Sequence, residues 1–250
     1  MAIKTILVSQ PKPEGDKSPY FDLAEKFKLK IDFRPFIHVE GIPAQEFRQQ
    51  KVNIPEHNAI ILTSKTAVDH FFRIAEETRF EVPDTMKYFC ISEAVAYYLQ
   101  KYVTYRKRKI FFGKQTIEDL VEVMKKHKND LFLLPCTDIL RDKIPITLEE
   151  HKFNFTKAVL YRTVASDLSD LEDVYYDMLV FYSPGGIESL FKNFPDFKQN
   201  DTKIAAFGPT TANAVVKNNL RLDLHAPMPN APSMTGAIEL FIKEQTKKSK

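Results

Sequence analysis

Short apolar runs alternate with longer amphipathic stretches along most of this chain. The run Ile60-Ile61-Leu62 ends in Thr63-Ser64, and an amphipathic stretch begins directly after these polar residues. Because a short apolar run bounded by polar turns is typical of a buried strand, and a longer apolar period is typical of a helix, the pattern predicts repeated strand–helix units. Such alternation indicates parallel sheets with helices on both faces.

The predicted elements begin with a strand near residues 3–9 and a helix capped by Ser18. The predicted strands lie at 3–9, 59–62, 88–91, 110–112, 131–134, 178–181, 204–207 and 222–224. The predicted helices lie at 19–27, 66–77, 93–100, 116–127, 138–150, 210–218 and 235–245.

The same order of units occurs twice. The matching positions, separated by 119, 116 and 119 residues, are Ser64 and Ser183, Ser92 and Gly208, and Thr116 and Thr235. Three pairs in one order at nearly one offset predict two similar α/β lobes. Each lobe ends its strands in Ser-rich and Thr-rich turns, so two such lobes facing each other are expected to hold a polar ligand.

The second copy has fewer strands than a complete lobe needs, and residues 1–30 supply the missing strand–helix unit. The expected domains are a continuous lobe at 40–158, a discontinuous lobe of 1–33 with 166–250, and linker strands at 34–39 and 159–165. We expect the extended segments Ile31–Arg34 and Ala158–Val164 to pair as a two-stranded hinge.

Composition narrows the function classes. With 44% hydrophobic and 28% charged residues the chain can bury two cores, and no apolar run approaches the roughly 20 residues of a membrane span. The first residues alternate like a strand and do not resemble a signal peptide, so a cytoplasmic location is expected. The net charge of +3 is too small to predict nucleic-acid binding. We expect a monomer with neither a nucleic-acid nor a membrane partner.

Glycine and cysteine usage argues against several kinds of site. The seven glycines form neither of the Gly-rich phosphate-binding motifs, and no G-x-S-x-G elbow is present. Cys90 and Cys136 are predicted to be buried free thiols, since neither has a Cys or His neighbour at metal-binding spacing. We therefore expect no metal and no nucleotide cofactor.

Hydroxyl-bearing and small residues follow the predicted strands. In open α/β sheets ligands bind at the carboxyl ends of strands, where helix N-termini present unpaired N–H groups that suit carboxylates or phosphates. Any one Ser or Thr at such a position is also an ordinary helix N-cap. The glycines beside Ser183 favour close approach of a ligand to the backbone. The candidate binding residues at this stage are Ser64, Ser92, Ser183, Gly185, Gly186, Thr210 and Thr211.

Three segments carry a family likeness. They are Phe181–Gly186, Ala206–Ala212 and Ala231–Thr235, and together they resemble uroporphyrinogen-III synthase. Looser similarity at Leu62–Val68 and Leu160–Thr163 extends the resemblance over nearly the whole chain. The resemblance implies two similar open parallel-sheet α/β lobes of flavodoxin-like, HemD-like type joined by a two-stranded linker.

The resemblance also implies a reaction. The substrate is the linear tetrapyrrole hydroxymethylbilane, a small molecule with eight carboxylates. It loses its terminal hydroxyl, its last ring is attacked at the substituted carbon through a spiro intermediate, and that ring is inverted as the macrocycle closes. The reaction needs no metal or organic cofactor.

Several residues match the family's functional positions. Tyr161 matches the favoured proton donor, although an aromatic on a half-buried linker strand, paired with Phe33 or Phe36, remains an alternative. Ser183, Thr210 and Thr211 match hydroxyls of the family's cleft, and Gly185 and Gly186 are backbone donors. Ser64 and Lys65 are expected to face them from the other lobe.

Two other functions stay open. A non-catalytic two-lobed binder of an acidic small molecule would keep the hydroxyl residues and need no Tyr161. A nucleotide-sugar transferase also has two lobes, but the small lobes and glycine-poor turns disfavour it.

Overall fold

The computed structural model describes residues 3–139 and 143–248. Short 3-10 helices lie at Ile54–Glu56, Lys125–His127 and Ser169–Leu171. In chain order the strands and α-helices are β1 Thr5–Val8, α1 Pro19–Phe27, β2 Lys30–Phe33, β3 Ile37–Gly41, α2 Ala44–Gln49, β4 Ala59–Leu62, α3 Lys65–Glu77, β5 Lys87–Cys90, α4 Glu93–Leu99, β6 Ile110–Phe112, α5 Ile117–Met124, β7 Leu131–Thr137, α6 Lys143–Glu150, β8 Asn154–Ala165, β9 Met178–Phe181, α7 Pro184–Asn193, β10 Lys203–Phe207, α8 Pro209–Lys217, β11 Leu224–Ala226 and α9 Met234–Lys248.

The chain forms two compact units. The first unit comprises Met1–His38 with Val164–Lys250, and the second comprises Val39–Thr163. A five-stranded sheet has the order β11-β10-β9-β1-β2, and a six-stranded sheet has the order β3-β8-β7-β4-β5-β6. Pairing within each sheet is dominated by parallel ladders. The predicted α/β class with two parallel-sheet lobes is confirmed.

The strand β1 lies between β2 and β9, with parallel pairing on both sides. The expected hinge pairing of Ile31–Arg34 with Ala158–Val164 is wrong, because residues 31–33 belong to β2. Arg34 N still donates to Val8 O at 3.0 Å, and Pro35, which has no N–H, follows it. The strand next to β8 is instead β3.

Several element boundaries differ from expectation. The strand β7 is three residues longer, because Pro135 lies beyond the residues of β7 that pair with β4 and its missing N–H breaks no bond there. The last strand lies at 224–226 and not at 222–224. Of the helix expected at 138–150, residues 138 and 139 are not helical and Lys143–Glu150 are, while residues 140–142 lie outside the described part of the chain.

A buried or partly buried aspartate ties strands together at the amino end of each sheet. Asp177, just before β9, accepts hydrogen bonds from Lys4 N at 2.8 Å and Thr5 N at 2.9 Å, at the start of β1. Asp130, just before β7, accepts from Asn58 Nδ2 at 2.9 Å and pairs with Lys87 Nζ at 2.7 Å. Each carboxylate therefore fixes neighbouring strands in one axial position.

The strands that precede the candidate site are buried on both faces. All four residues of β4 are 0% exposed, and β9 is buried throughout. Within residues 3–139 and 143–248, no helix has the length and apolar character to cross a bilayer.

The turn after β10 depends on glycine. Gly208 has φ 82° and ψ 156°, a conformation that is essentially restricted to glycine. At Gly185, by contrast, an added Cβ would meet only ordinary contacts, the nearest at 3.6 Å from Ile37 Cδ1.

Gly208→Ala is therefore expected to lower the free energy of unfolding by about 1–3 kcal/mol, and the matched control Gly185→Ala is expected to lower it by less than about 1 kcal/mol. Urea unfolding of both variants checks this, and equal stability of the two would contradict the assigned turn.

Candidate active site

The carboxyl ends of β4 and β5 lie side by side in the second unit. Ile91 N donates to Leu62 O at 2.9 Å, so the residues that follow the two strands are neighbours. Ser64 caps α3, because its hydroxyl accepts from Ala67 N at 3.0 Å. Ser92 precedes α4, but its hydroxyl makes no capping hydrogen bond. Among the described residues, the Ser92 hydroxyl therefore has no capping partner at this edge.

Tyr161 lies at the same edge. On β8 it is registered with Thr137, the last residue of β7, across an irregularity in the ladder. The Ser64 side chain lies close enough to the Tyr161 phenol to oppose the rise in its pKa. The structure thus brings together two of the predicted site residues, one from the long strand and one from a helix cap.

The side chain packed on Tyr161 is His70 of α3. The two rings are stacked with centroids 5.1 Å apart and an interplanar angle of 21°. Phe33 and Phe36, the alternative partners expected for Tyr161, pack on other rings, those of Tyr20 and Phe181. Tyr161 is therefore held by a stacked imidazole and not by a cross-strand phenylalanine.

Arg73 fixes this imidazole. Its Nε donates to His70 Nδ1 at 3.1 Å, and its Nη2 donates to Leu160 O at 3.0 Å. Because Nδ1 accepts a hydrogen bond, the neutral ring carries its proton on Nε2. One guanidinium therefore holds the His70 ring and links α3 to the residue of β8 that precedes Tyr161.

Burial shifts the pKa values of both stacked rings. Burial raises the pKa of Tyr161, the Ser64 hydroxyl opposes that shift, and Cys136 adds to it, so the phenol stays protonated at neutral pH. Burial and then the Arg73 charge lower the pKa of His70, while Asp69 and Glu77 oppose the shift. The pair is an uncharged acid beside an uncharged imidazole.

Lys65 begins α3 and is exposed. Its Nζ lies 5.3 Å from the centre of the Tyr98 ring, a cation–π distance. The Tyr98 phenol donates to both oxygens of Asp69, at 2.9 and 2.8 Å. Among the described residues no carboxylate forms a salt bridge with Lys65, so its charge is available to an anion.

In the first unit, the remaining predicted residues follow the adjacent strands β9 and β10. Ser183 precedes α7, and its hydroxyl makes no capping hydrogen bond. Thr210 is exposed at the start of α8, whereas Thr211 is only 1% exposed. This burial favours Ser183 and Thr210 as hydroxyl donors and leaves Thr211 to contribute a backbone N–H.

Free N–H groups point out of the first turns of α7 and α8. Gly186 N donates to Ser183 O at 3.2 Å and Ala212 N donates to Gly208 O at 3.1 Å, so the N–H groups of the residues before them have no acceptor in their own helix. Gly186 suits this first turn because it has no side chain. A Cβ added there would lie 3.2 Å from Phe181 Cδ1, which is a crowded contact. These two helix ends supply N–H groups that favour carboxylates.

Two tyrosines at this edge were not predicted as site residues. The hydroxyls of Tyr20 and Tyr182 are 2.6 Å apart, and the Tyr182 ring lies 5.5 Å from that of Phe207. Burial raises the pKa of both phenols, so both are protonated at neutral pH. The signal was the position of Tyr182 between the strand and Ser183, within a segment already recognised as a candidate.

Thr137 and Asp138 were also missed. Asp138 N donates to Tyr161 O at 3.2 Å, and the Thr137 hydroxyl donates to Asp138 Oδ1 at 2.8 Å. Their signal is the same as that of Ser64, a polar pair directly after a buried strand. The predicted strand ended at residue 134 and not at 137, so this polar pair was not recognised as following a strand.

No group of three or more His, Cys, Asp or Glu that could hold a metal ion occurs in the described ranges. Cys90 and Cys136 are both buried free thiols.

The Arg73 contact gives a measurable titration. We expect the His70 ring to titrate below its ordinary pKa of 6.5 in a histidine NMR titration. Arg73→Gln is expected to raise the midpoint, and Arg73→Lys, which keeps the charge, is expected to raise it less. In the unmodified protein the lowered pKa of His70 means that the unfolded chain binds this proton more readily than the folded chain does. The free energy of unfolding therefore falls as the pH drops from 6.5 through the folded-state pKa of His70. A His70 midpoint at or above 6.5 in the unmodified protein would contradict this environment.

Two parallel-sheet α/β units with hydroxyls and helix N-termini at their strand ends place this chain in the class of open α/β proteins, whose ligands bind at the carboxyl ends of the strands. A family model described as uroporphyrinogen-III synthase HemD matches residues 19–236. The chain belongs to the uroporphyrinogen-III synthase HemD family.

Curated relatives carry the same name. The chain is similar to a uroporphyrinogen-III synthase of Saccharomyces cerevisiae, with 27% identity over 139 residues, a match covering 50% of each protein. It is also similar to one of Schizosaccharomyces pombe, with 23% identity over 259 residues, covering 98% of this chain and 100% of that protein.

Solved structures share the fold. The uroporphyrinogen-III synthetase of Helicobacter pylori has a TM-score of 0.58 at 17% identity, covering 97% of this chain and 100% of that one. A mutant uroporphyrinogen III synthase of Thermus thermophilus has a TM-score of 0.50 at 15% identity, covering 98% of this chain and 99% of that one. At these identities the likeness supports the fold.

Proposed function

We propose that this protein is a cofactor-independent lyase of haem biosynthesis that cyclises hydroxymethylbilane to uroporphyrinogen III with inversion of the last ring. The observation that carries the proposal is the family match over residues 19–236. The protonated, half-buried Tyr161 beside Ser64 supports it, because loss of the substrate hydroxyl requires a proton donor.

Tyr161 is the proposed proton donor. Its phenol gives a proton to the leaving hydroxyl as the carbon–oxygen bond breaks, and the products of that step are water and an electrophilic carbon. The substituted carbon of the last pyrrole then attacks that electrophile and gives the spiro intermediate. The bond from that carbon to its original methylene bridge breaks, and the bridge carbon forms a new bond to the free carbon of the same ring, which inverts the ring. The proton lost from the pyrrole system at closure restores the phenol, so the cycle consumes no external acid.

His70 and Arg73 act in this scheme as positioning residues. The stacked imidazole restricts the Tyr161 ring, and Arg73 holds the imidazole neutral at the edge of β8. A neutral neighbour leaves the phenol as the acid. An imidazolium in its place would favour the phenolate, which cannot donate.

The substrate carboxylates are proposed to bind at the strand ends of both units. Ser64, Lys65 and Ser92 supply hydroxyls and one positive charge from the second unit. The first unit contributes Ser183, Thr210 and the N–H groups of Gly185 and Thr211, whereas the Gly186 N–H already donates to Ser183 O. Charge-assisted hydrogen bonds of this kind are stronger than neutral ones and directional, so they orient a flexible chain.

The main task proposed for these contacts is geometric. Without an enzyme the linear tetrapyrrole closes without inversion, so the bound pose must favour attack at the substituted carbon. Holding reacting atoms in one orientation can supply several kcal/mol of the barrier difference.

The product isomer tests the function directly. The protein is incubated with hydroxymethylbilane, and the oxidised products are separated by chromatography. We expect the type III isomer. A non-catalytic binder of acidic molecules would yield only the non-inverted type I isomer, and that result would refute the proposed function.

Tyr161→Phe isolates the acid role. This change removes one oxygen and keeps the ring that stacks on His70, so folding should be preserved and type III formation should fall by about 100-fold. Tyr97→Phe is the control, because Tyr97 is 75% exposed on α4. Equal turnover of Tyr161→Phe and Tyr97→Phe would remove Tyr161 from the acid role.

The hydroxyls of the first unit are tested together. Ser183→Ala combined with Thr210→Ala removes two hydroxyls that cap neither α7 nor α8, and KM should rise about tenfold with little change in folding. Asn213→Ala, an exposed change on the same helix α8, is the control. A KM equal to that of the control would argue against carboxylate binding at this edge.

The monomeric state, the cytoplasmic location and the lack of a nucleic-acid partner stay predictions. The net charge of +3 is the main support for the last of these. Light scattering of the purified protein reports its oligomeric state.

A further inference from the structure

A cavity lies in the second unit, away from the candidate active site. It has a volume of about 400 Å³ and is lined by residues next to the amino ends of β5 and β6, including Met86 and Lys109. The candidate active site is at the carboxyl ends of the same sheet. The volume is within the range of small-molecule sites in proteins.

The walls of this cavity are aromatic and firmly held. The Phe72 and Tyr102 rings stack with centroids 4.4 Å apart and an interplanar angle of 2°. The Tyr102 hydroxyl donates to Asp69 at 2.6 Å, which fixes the outer ring. The Tyr88 ring lies 6.5 Å from Phe72 on the inner side. A flat apolar body can therefore be received without rearrangement of the wall.

Tyr88 has a polar group that its own fold does not use. The residue is 4% exposed and lines the cavity, and its hydroxyl makes no hydrogen bond to any residue in the described ranges. Burial and then the Asp84 carboxylate raise the pKa of Tyr88, so the phenol is a donor at neutral pH. The hydroxyl itself is reached by solvent and is not sealed in the core, so it can donate to a ligand or to water in the cavity.

The charges around the cavity favour an anion. Arg106 and Lys109 are cations, and Asp84 is the one acidic residue among the described residues of the lining. Arg106 lies 3.7 Å from Asp84, so these two charges largely offset each other. Lys109 is partly buried and forms no salt bridge within the described residues, which leaves one positive charge uncompensated.

A cavity of similar volume in the first unit differs, because three of its polar side chains already have hydrogen-bond partners. It measures about 380 Å³, and its lining includes Tyr176, Asn193 and Gln199. Those three polar side chains already make hydrogen bonds to Asp32, to Ser166 O and Leu168 N, and to Thr202 O. These groups are therefore committed to the fold and do not select a ligand.

We propose that the cavity between Phe72, Tyr88 and Lys109 binds a small amphipathic anion, with an aromatic body against the Phe72 and Tyr102 wall and an oxyanion held by the Tyr88 hydroxyl and Lys109. The site is separate from the one that performs the proposed cyclisation. It belongs to the second unit alone.

Calorimetric titration of the full chain with 2-naphthoate tests this site. We expect saturable binding of one ligand per chain and at least tenfold weaker binding of the uncharged 2-naphthamide. Tyr88→Phe and Lys109→Gln are each expected to weaken 2-naphthoate binding about tenfold, since each removes a hydrogen bond to a charged group. A parallel titration with 2-naphthyl phosphate reports whether the site prefers a carboxylate or a phosphate, and either preference supports the proposal.

Arg108→Gln is the matched control, because Arg108 is a neighbouring exposed cation that does not line the cavity. Its affinity should equal that of the unmodified chain. Tyr88→Phe should also keep full stability in urea, because the hydroxyl it removes has no partner within the described residues. Failure of 2-naphthoate to saturate, or equal loss of affinity in Arg108→Gln and Lys109→Gln, would overturn the proposal.

Discussion

Parallel pairing delivers every carboxyl end of a sheet to one edge, and the rest of this molecule depends on that constraint. Strands such as β4, β5, β9 and β10 are each followed by a helix, so the edge collects both the polar residues of the turns and the unpaired N–H groups of the helices. The apolar strands themselves, such as β4 and β9, contribute no chemistry. Their complete burial holds the edge in place, and an anion can bind there without any dedicated motif.

The aspartates at the opposite edges complement this arrangement. Asp177 and Asp130 fix the axial positions of neighbouring strands by accepting hydrogen bonds where those strands begin. Because a strand is stiff along its length, fixing its start also fixes the position of its end. Arg73 then links α3 to β8, so Tyr161 occupies one position relative to Ser64.

Much of the fold followed from the alternation of apolar and amphipathic segments. Strands such as 59–62 and 178–181 were placed correctly because they are wholly buried and bounded by polar turns. The pairing of strands that lie far apart in the sequence was not visible in this pattern. The sequence pattern did not reveal that 31–33 joins β1, or that Pro135 is tolerated inside β7. The stacking of His70 on Tyr161 was equally hidden, since it joins residues on different elements and depends on the register between them.

The central claim is that the strand ends bind the tetrapyrrole carboxylates while Tyr161 lies at the reacting carbon. A crystal structure with uroporphyrinogen III bound tests it most directly. The account predicts product carboxylates within hydrogen-bonding distance of Gly185 N and Thr210 N, and the Tyr161 hydroxyl next to the ring-closing carbon. Product bound with Tyr161 facing away from that carbon, or with its carboxylates away from these helix ends, would contradict it.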